Sequence, residues 1–122
     1  MIMFYSTASY AEWLPLAMSP KGEIKIYGDP NSKIQSGKTI KINLLVDYKN
    51  TQGRNTPYPH RSTVSQDEFD CLGMKKRMLS ISSFSDNMGR GIVVSATNTP
   101  TSWTSVGGNN APMVDFDFAC KR

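Results

Sequence analysis

Thr39-Ile40-Lys41-Ile42-Asn43-Leu44-Leu45-Val46-Asp47-Tyr48 is the stretch on which the fold class turns. Ile40, Ile42, Leu44, Val46 and Tyr48 recur at period two. Thr39, Lys41, Asn43 and Asp47 take the alternate positions. Successive side chains of a strand point to opposite faces, so this alternation predicts a half-buried β-strand. Leu45 alone breaks it. Upstream, Glu23-Ile24-Lys25-Ile26-Tyr27 alternates over a shorter span, and Lys21-Gly22 predicts a turn back to a first strand around Trp13 to Met18. Pro15 has no amide hydrogen to give to a ladder, which puts that first strand at an edge or gives it a bulge.

Downstream, Asn50 to Arg61 holds Gly53, Pro57 and Pro59 among polar residues and reads as a long exposed loop. Thr63 to Leu72 and Lys76 to Phe84 read as strands joined by a tight turn near Gly73. Phe69 and Cys71 share a face of the first, Leu79 and Ile81 a face of the second. Asn87 to Gly91 is a turn, Ile92 to Ala96 a β-branched strand, and Asn98 to Ser102 a loop leading to Trp103. Asn109-Asn110-Ala111-Pro112 has the residues of a helix start, with Asn as cap and Pro in the first turn. Met113, Phe116 and Cys120 follow at helical spacing, and Asp115, Lys121 and Arg122 suit a helix dipole. Val114 to Phe118 also alternates as a strand would; the helix is the preferred reading. The predicted class is α+β: an antiparallel sheet of about six strands with one C-terminal helix packed on it.

The chain has 122 residues, enough for one domain. Its first eleven residues carry no charge, and Ser9 and Ala11 are small where a signal peptidase needs small residues. Residues 1–11 are therefore read as the end of a signal peptide and 12–122 as a single domain. No stretch approaches the roughly 20 apolar residues of a membrane-spanning helix. The net charge is +4. The excess sits in Lys21, Lys25, Lys33, Lys38, Lys41, Lys49 and Arg54, against Glu23, Asp29 and Asp47. Such a balance suits an anionic partner (an acidic glycan, anionic lipid or acidic protein face) or is simply a solvated basic surface. Nucleic acid is not expected, because no basic-aromatic module of the known kinds occurs. The two cysteines, Cys71 and Cys120, have only one way to pair if they pair. A bridge would mean an oxidising compartment.

Catalytic sets are absent from the sequence pattern. His60 is the only histidine, and it stands in the Pro-rich loop as a solvated residue. Without a second histidine or a free thiolate there is no ligand set for a transition metal, and no cofactor is expected. A serine nucleophile would lack a positioned base, and no nucleophile elbow occurs. Glu68 and Asp70 lie opposite Phe69 in a strand, so they are expected to face water rather than to form an acid-base pair. Gly89-Arg90-Gly91 is too short for a phosphate cradle. Lys75-Lys76-Arg77 reads as a solvated hairpin end, with a partner contact as the alternative. Trp13, Trp103 and Tyr48 read as core or helix-seat residues, with a surface anchor as the alternative for one tryptophan. The candidate partner-binding residues are Tyr58, His60, Arg61, Lys75 and Lys76.

Several segments in order carry a resemblance. They are Tyr27-Gly28-Asp29-Pro30-Asn31-Ser32-Lys33-Ile34, Leu44 to Lys49, Ser65 to Cys71 followed by Arg77-Met78-Leu79-Ser80, Phe84 to Gly91, Trp103, and Ala119-Cys120. Through them the chain resembles the surface-adhesin protein E family, from about Trp13 to Cys120. The resemblance implies a six-stranded antiparallel sheet with a C-terminal helix, and a disulfide joining Cys71 to Cys120. It also implies a non-enzymatic protein exported from a bacterial cell, able to form a homodimer and to bind host extracellular-matrix or serum glycoproteins. A basic loop before the first cysteine strand contributes to binding in that family; His60 and Arg61, after Pro57-Tyr58-Pro59, take its place here. The alternative is a soluble periplasmic envelope or inhibitor-like protein with no host partner. Since Cys71 shares a face with Phe69, and Cys120 a stripe with Met113 and Phe116, the implied bridge would lie between sheet and helix as a structural staple.

Overall fold

The alternating run forms strand β3 (Thr39–Gln52) in a computed structural model of the chain, which describes residues 12–107 and 113–121. Around it lie β1 (Leu14–Met18), β2 (Ile24–Ser36), β4 (His60–Asp70), β5 (Lys75–Phe84) and β6 (Val93–Thr97). Chain neighbours are sheet neighbours: the order is β1-β2-β3-β4-β5-β6, antiparallel throughout. A two-residue strand, β7 (Thr104–Ser105), pairs with the start of β5. The bulge expected of a Pro15-bearing edge is present, between Pro15 and Ala17 of β1. Strand β2 passes through Pro30 by giving up regular pairing between Asp29 and Ile34. The Ser32 hydroxyl fills the gap by accepting from the Asn43 amide at 2.8 Å.

The one α-helix among the described residues, α1 (Val114–Cys120), covers one face of the sheet. It starts with Met113 in the cap position and no side-chain cap. The asparagine cap and first-turn proline predicted at 109–112 lie outside the described residues. Seven residues are too few for a stable helix in isolation; this one is held by what it buries. Phe116 and Ala119 pack on Ile42, Leu44 and Phe69, with Leu16, Val106, Met113, Phe118 and Cys120 around them. The Phe69 and Phe116 rings meet edge to face at 6.1 Å, an arrangement that adds about 0.5–1.5 kcal/mol beyond burial. Gly28, opposite Leu44, leaves room for Phe118: a β-carbon there would clash with the edge of its ring. Two further ties hold the helix. Cys71 and Cys120 form the disulfide, with their Cα atoms 5.7 Å apart, and Lys76 Nζ pairs with Asp115 Oδ2 at 2.8 Å.

The opposite face is also covered, which the sequence reading did not foresee. Leu45, the residue that broke the alternation, is fully buried there. A 3-10 turn at Asn87–Gly89 lies over it, with Gly89 (φ +69°) set close to Val64 and Leu45. Asp47 Oδ1 accepts from Asn87 Nδ2 at 3.0 Å and from the Met88 amide at 2.8 Å. Ser62 Oγ donates to the Asp86 carbonyl at 2.6 Å and accepts from the Gly89 amide at 2.9 Å.

Glu68 corrects an expectation on this face. It does not face water: it is 6% exposed. Arg77 Nε donates to it at 2.7 Å and Thr39 Oγ1 at 2.6 Å. Trp103, predicted as a core or helix-seat residue, instead sits at the surface over the Arg77 guanidinium, 4.6 Å from it. Burial pushes the Glu68 carboxyl up, but the hydrogen bonds from Thr39 and Arg77, with the charges of Arg77 and Lys41, outweigh this and hold its pKa below the ordinary glutamate value. Alternation in β5 is interrupted as well. Gln66 pairs with Ser80 and Asp67 with Met78, leaving Leu79 as the extra residue of a bulge.

Candidate partner-binding site

Strands β3 and β4 extend further than their sequence patterns suggested, so the predicted long loop shrinks to residues 53–59. Gln52 pairs with His60 across its base. The loop bonds to itself. Gly53 adopts φ +67°, a left-handed conformation that glycine takes without steric cost. Its carbonyl accepts from the Thr56 amide at 3.0 Å and from Thr56 Oγ1 at 2.7 Å. The Thr56 hydroxyl in turn accepts from the Tyr58 amide at 3.1 Å. A loop built this way has already lost much of the freedom it would otherwise lose on binding.

Tyr58 is displayed near the β4 end of the loop, 54% exposed. Its carbonyl lies 2.9 Å from His60 Nδ1, which must donate because a carbonyl can only accept. His60 is not the free loop residue expected. It opens β4, is half-buried, and meets the Tyr48 ring edge-on at 6.0 Å. Burial raises the Tyr48 phenol above its ordinary pKa. Arg61 is exposed, and its Nη2 donates to the Lys49 carbonyl at 3.2 Å. Tyr58, His60 and Arg61 are thus brought together, supported from below by Tyr48 and Lys49. The sequence reading missed these supports. The only available signal was that Tyr48 ended the apolar alternation next to the loop.

Lys75 and Lys76 are not part of this group. They pair with Asp70 and Phe69, at the far end of β4 from His60. A strand advances about 3.4 Å per residue, so roughly 30 Å separates them from the loop. Lys76 is engaged with Asp115 beneath the helix, while Lys75 is exposed at the sheet end. Close by, Asp67 is 5% exposed on the helix side, with its Oδ1 accepting from Ser65 Oγ at 2.6 Å. Burial raises its pKa, and Asp115 adds to this, against lowering by Ser65 and Lys76.

Among the described residues, no group of three or more His, Cys, Asp or Glu side chains is placed to hold a metal ion. No helix among them is long and apolar enough to cross a membrane. What these residues display is Tyr58 on the 53–59 loop and, at the start of β4, exposed Arg61 beside half-buried His60.

The sequence model of the family described as Surface-adhesin protein E matches residues 13–121. No curated protein matches the chain. Among solved structures, crystal form II of Haemophilus influenzae protein E superposes with a TM-score of 0.65 at 11% identity, covering 87% of this chain and 86% of that one. A second structure of Haemophilus influenzae protein E gives 0.64 at 11% identity, over 87% and 83%. Protein E from non-typeable Haemophilus influenzae gives 0.61 at 12% identity, over 86% and 72%. At such identities the structures attest the shared fold.

Proposed function

This chain belongs to the surface-adhesin protein E family, and on that premise we propose that it is an exported, non-enzymatic binding module that grips a protein partner with its 53–59 loop and the adjoining start of β4. The observation that supports the reading is Tyr58, exposed on a loop that is hydrogen-bonded to itself, with Arg61 and His60 beside it. Tyrosine and arginine are enriched among the residues that dominate the energetics of protein interfaces, because each combines a large contact surface with directed hydrogen bonding. The proposed partner class is a host extracellular-matrix or serum glycoprotein. The Cys71–Cys120 bridge suits an oxidising, extracytoplasmic compartment, and the outer cell surface is the location proposed.

The test is binding to immobilised matrix and serum glycoproteins by Tyr58→Ala and by His60→Ala/Arg61→Ala. Each is expected to weaken binding by on the order of tenfold or more, and loss of the charges should leave a shallower salt dependence. Tyr58→Ala guards against a folding artefact, since its side chain is exposed. Unchanged affinity in both variants would refute the loop assignment. Antibody labelling of intact cells checks the location, and signal only after permeabilisation would place the protein in the periplasm.

A further inference from the structure

The β1 edge of the sheet carries a second surface, which the loop reading does not use. Two hollows of about 430 and 400 Å³ adjoin there, sharing Met18 and Lys25 in their walls. The first is mainly apolar, with Pro15, Leu16 and the Tyr27 side chain. The second is basic, with Lys21, Lys25 and Lys49 around Asp47. Lysines distant in sequence meet here through strand pairing. Lys25 of β2 stands opposite Asp47 of β3. The Lys49 amide donates to the Glu23 carbonyl, and Lys21 precedes Gly22 (φ +68°) in the turn that joins β1 to β2.

The charge balance favours an anion. Asp47 is already engaged by Asn87 and Met88 on the turn behind it. The ion pairs among the described residues are Lys76–Asp115 and Arg77–Glu68, so none of these lysines belongs to one. The kind of anion follows from what the groove lacks. Three backbone amides around it are occupied: Gly22 donates to the Ser19 carbonyl, Ile24 to Ser19 Oγ, and Lys49 to the Glu23 carbonyl. With those amides taken, recognition rests chiefly on the flexible ammonium groups of Lys21, Lys25 and Lys49 strung along an open groove. Such a surface suits a polymer with repeated charges. The hollow shape argues against a flat bilayer, and the apolar half offers Tyr27 and Met18 to something with apolar faces.

We infer that this groove binds a sulfated glycan chain, its sulfates meeting Lys21, Lys25 and Lys49 and its sugar rings lying along Tyr27 and Met18. The groove adjoins the 53–59 loop through Lys49, whose carbonyl accepts from Arg61, and adds a carbohydrate ligand to the proposed protein partner.

Titration of the intact protein with a sulfated glycosaminoglycan oligosaccharide, followed calorimetrically, tests this. Lys21→Gln/Lys25→Gln/Lys49→Gln should weaken binding by on the order of tenfold or more and flatten its salt dependence. Lys38→Gln/Arg90→Gln/Lys121→Gln loses the same net charge from exposed positions elsewhere and should bind like the parent. The desulfated oligosaccharide should not bind. Lys25→Glu alone, expected to weaken binding in the same direction, covers the case in which the triple variant folds poorly. The inference is overturned if the two triple variants weaken equally, if the parent protein ignores the glycan, or if it binds only anionic phosphatidylglycerol vesicles.

Discussion

Replacing both bridged cysteines, as Cys71→Ala/Cys120→Ala, should destabilise the protein by about 4 kcal/mol. The bridge spans a sequence separation of 49 residues. Closing a loop of that length removes roughly 14 cal/mol/K from the unfolded ensemble in the chain-entropy treatment, which is about 4 kcal/mol at room temperature. Unfolding entropy is about 2.1 cal/mol/K per residue, so a chain of this length gains roughly 0.26 kcal/mol/K on unfolding. Dividing one by the other, the melting temperature should fall by about 15 °C. Calorimetric melts of parent and variant, and of the parent with and without a strong reductant, provide the measurement. Hydrogen exchange adds a spatial check. The seven-residue helix cannot persist alone, so the α1 amides should lose protection before those of β3 and β4. A fall of less than about 5 °C, or two titratable thiols in the native protein, would refute the reasoning.

Further substitutions probe the buried carboxylates of Asp67 and Glu68 and the reverse face. Asp67→Asn should raise stability at neutral pH. Burial lifts the folded pKa of Asp67, so its favourable contribution is complete below the ordinary aspartate value and is lost as pH rises through the lifted one. The advantage of the amide should vanish in strong acid, and a melting temperature lowered at neutral pH would count against this account. Glu68→Gln should show the reverse sign. Its folded pKa is depressed, so its contribution is present above the ordinary glutamate value and is lost as pH falls through the depressed one. The expected cost at neutral pH is about 1–2 kcal/mol, tempered by the partial exposure of Arg77, and melts across the acid range should show the gap closing. Leu45→Ala should cost about 2–4 kcal/mol by denaturant unfolding, with increased exchange in the Asn87–Gly89 turn; a near-neutral effect would mean that the turn does not depend on Leu45.

Strand β3 was legible because its outward positions are polar, so alternation and burial agree on the helix side. The same logic misplaced Glu68. Assigning it to water assumed that a sheet with one apolar face leaves the other wet. Here Leu45, Asp47 and Ser62 recruit the Asn87–Gly89 turn onto that second face, and Thr39 and Arg77 enclose Glu68 further along β4. The turn's composition marked it as a turn, but where it docks depends on strand order, which composition does not report. The candidate site divided for a similar reason. Pro57, Pro59 and Gly53 exposed the loop at the level of sequence. That Lys75 and Lys76 lie at the other end of the same hairpin became visible only with the β4–β5 register. Lys21, Lys25 and Lys49 belong to one basic segment of the sequence; their convergence on one groove needed the β1–β2 turn and the β2–β3 pairing together.

The bridge has a mechanical consequence as well as a thermodynamic one. Cys71 directly follows β4, the strand whose opposite end opens with His60 beside the loop. Tension entering the chain at Lys121 therefore passes through the sulfurs into β4 without peeling away α1. Strand β4 is hydrogen-bonded along its length to β3 on one side and β5 on the other, so the load is shared in shear by two ladders instead of opening one bond at a time. A partner held at Tyr58 would pull at the other end of that same strand. The two loads would meet along one continuous, doubly supported line through the middle of the sheet.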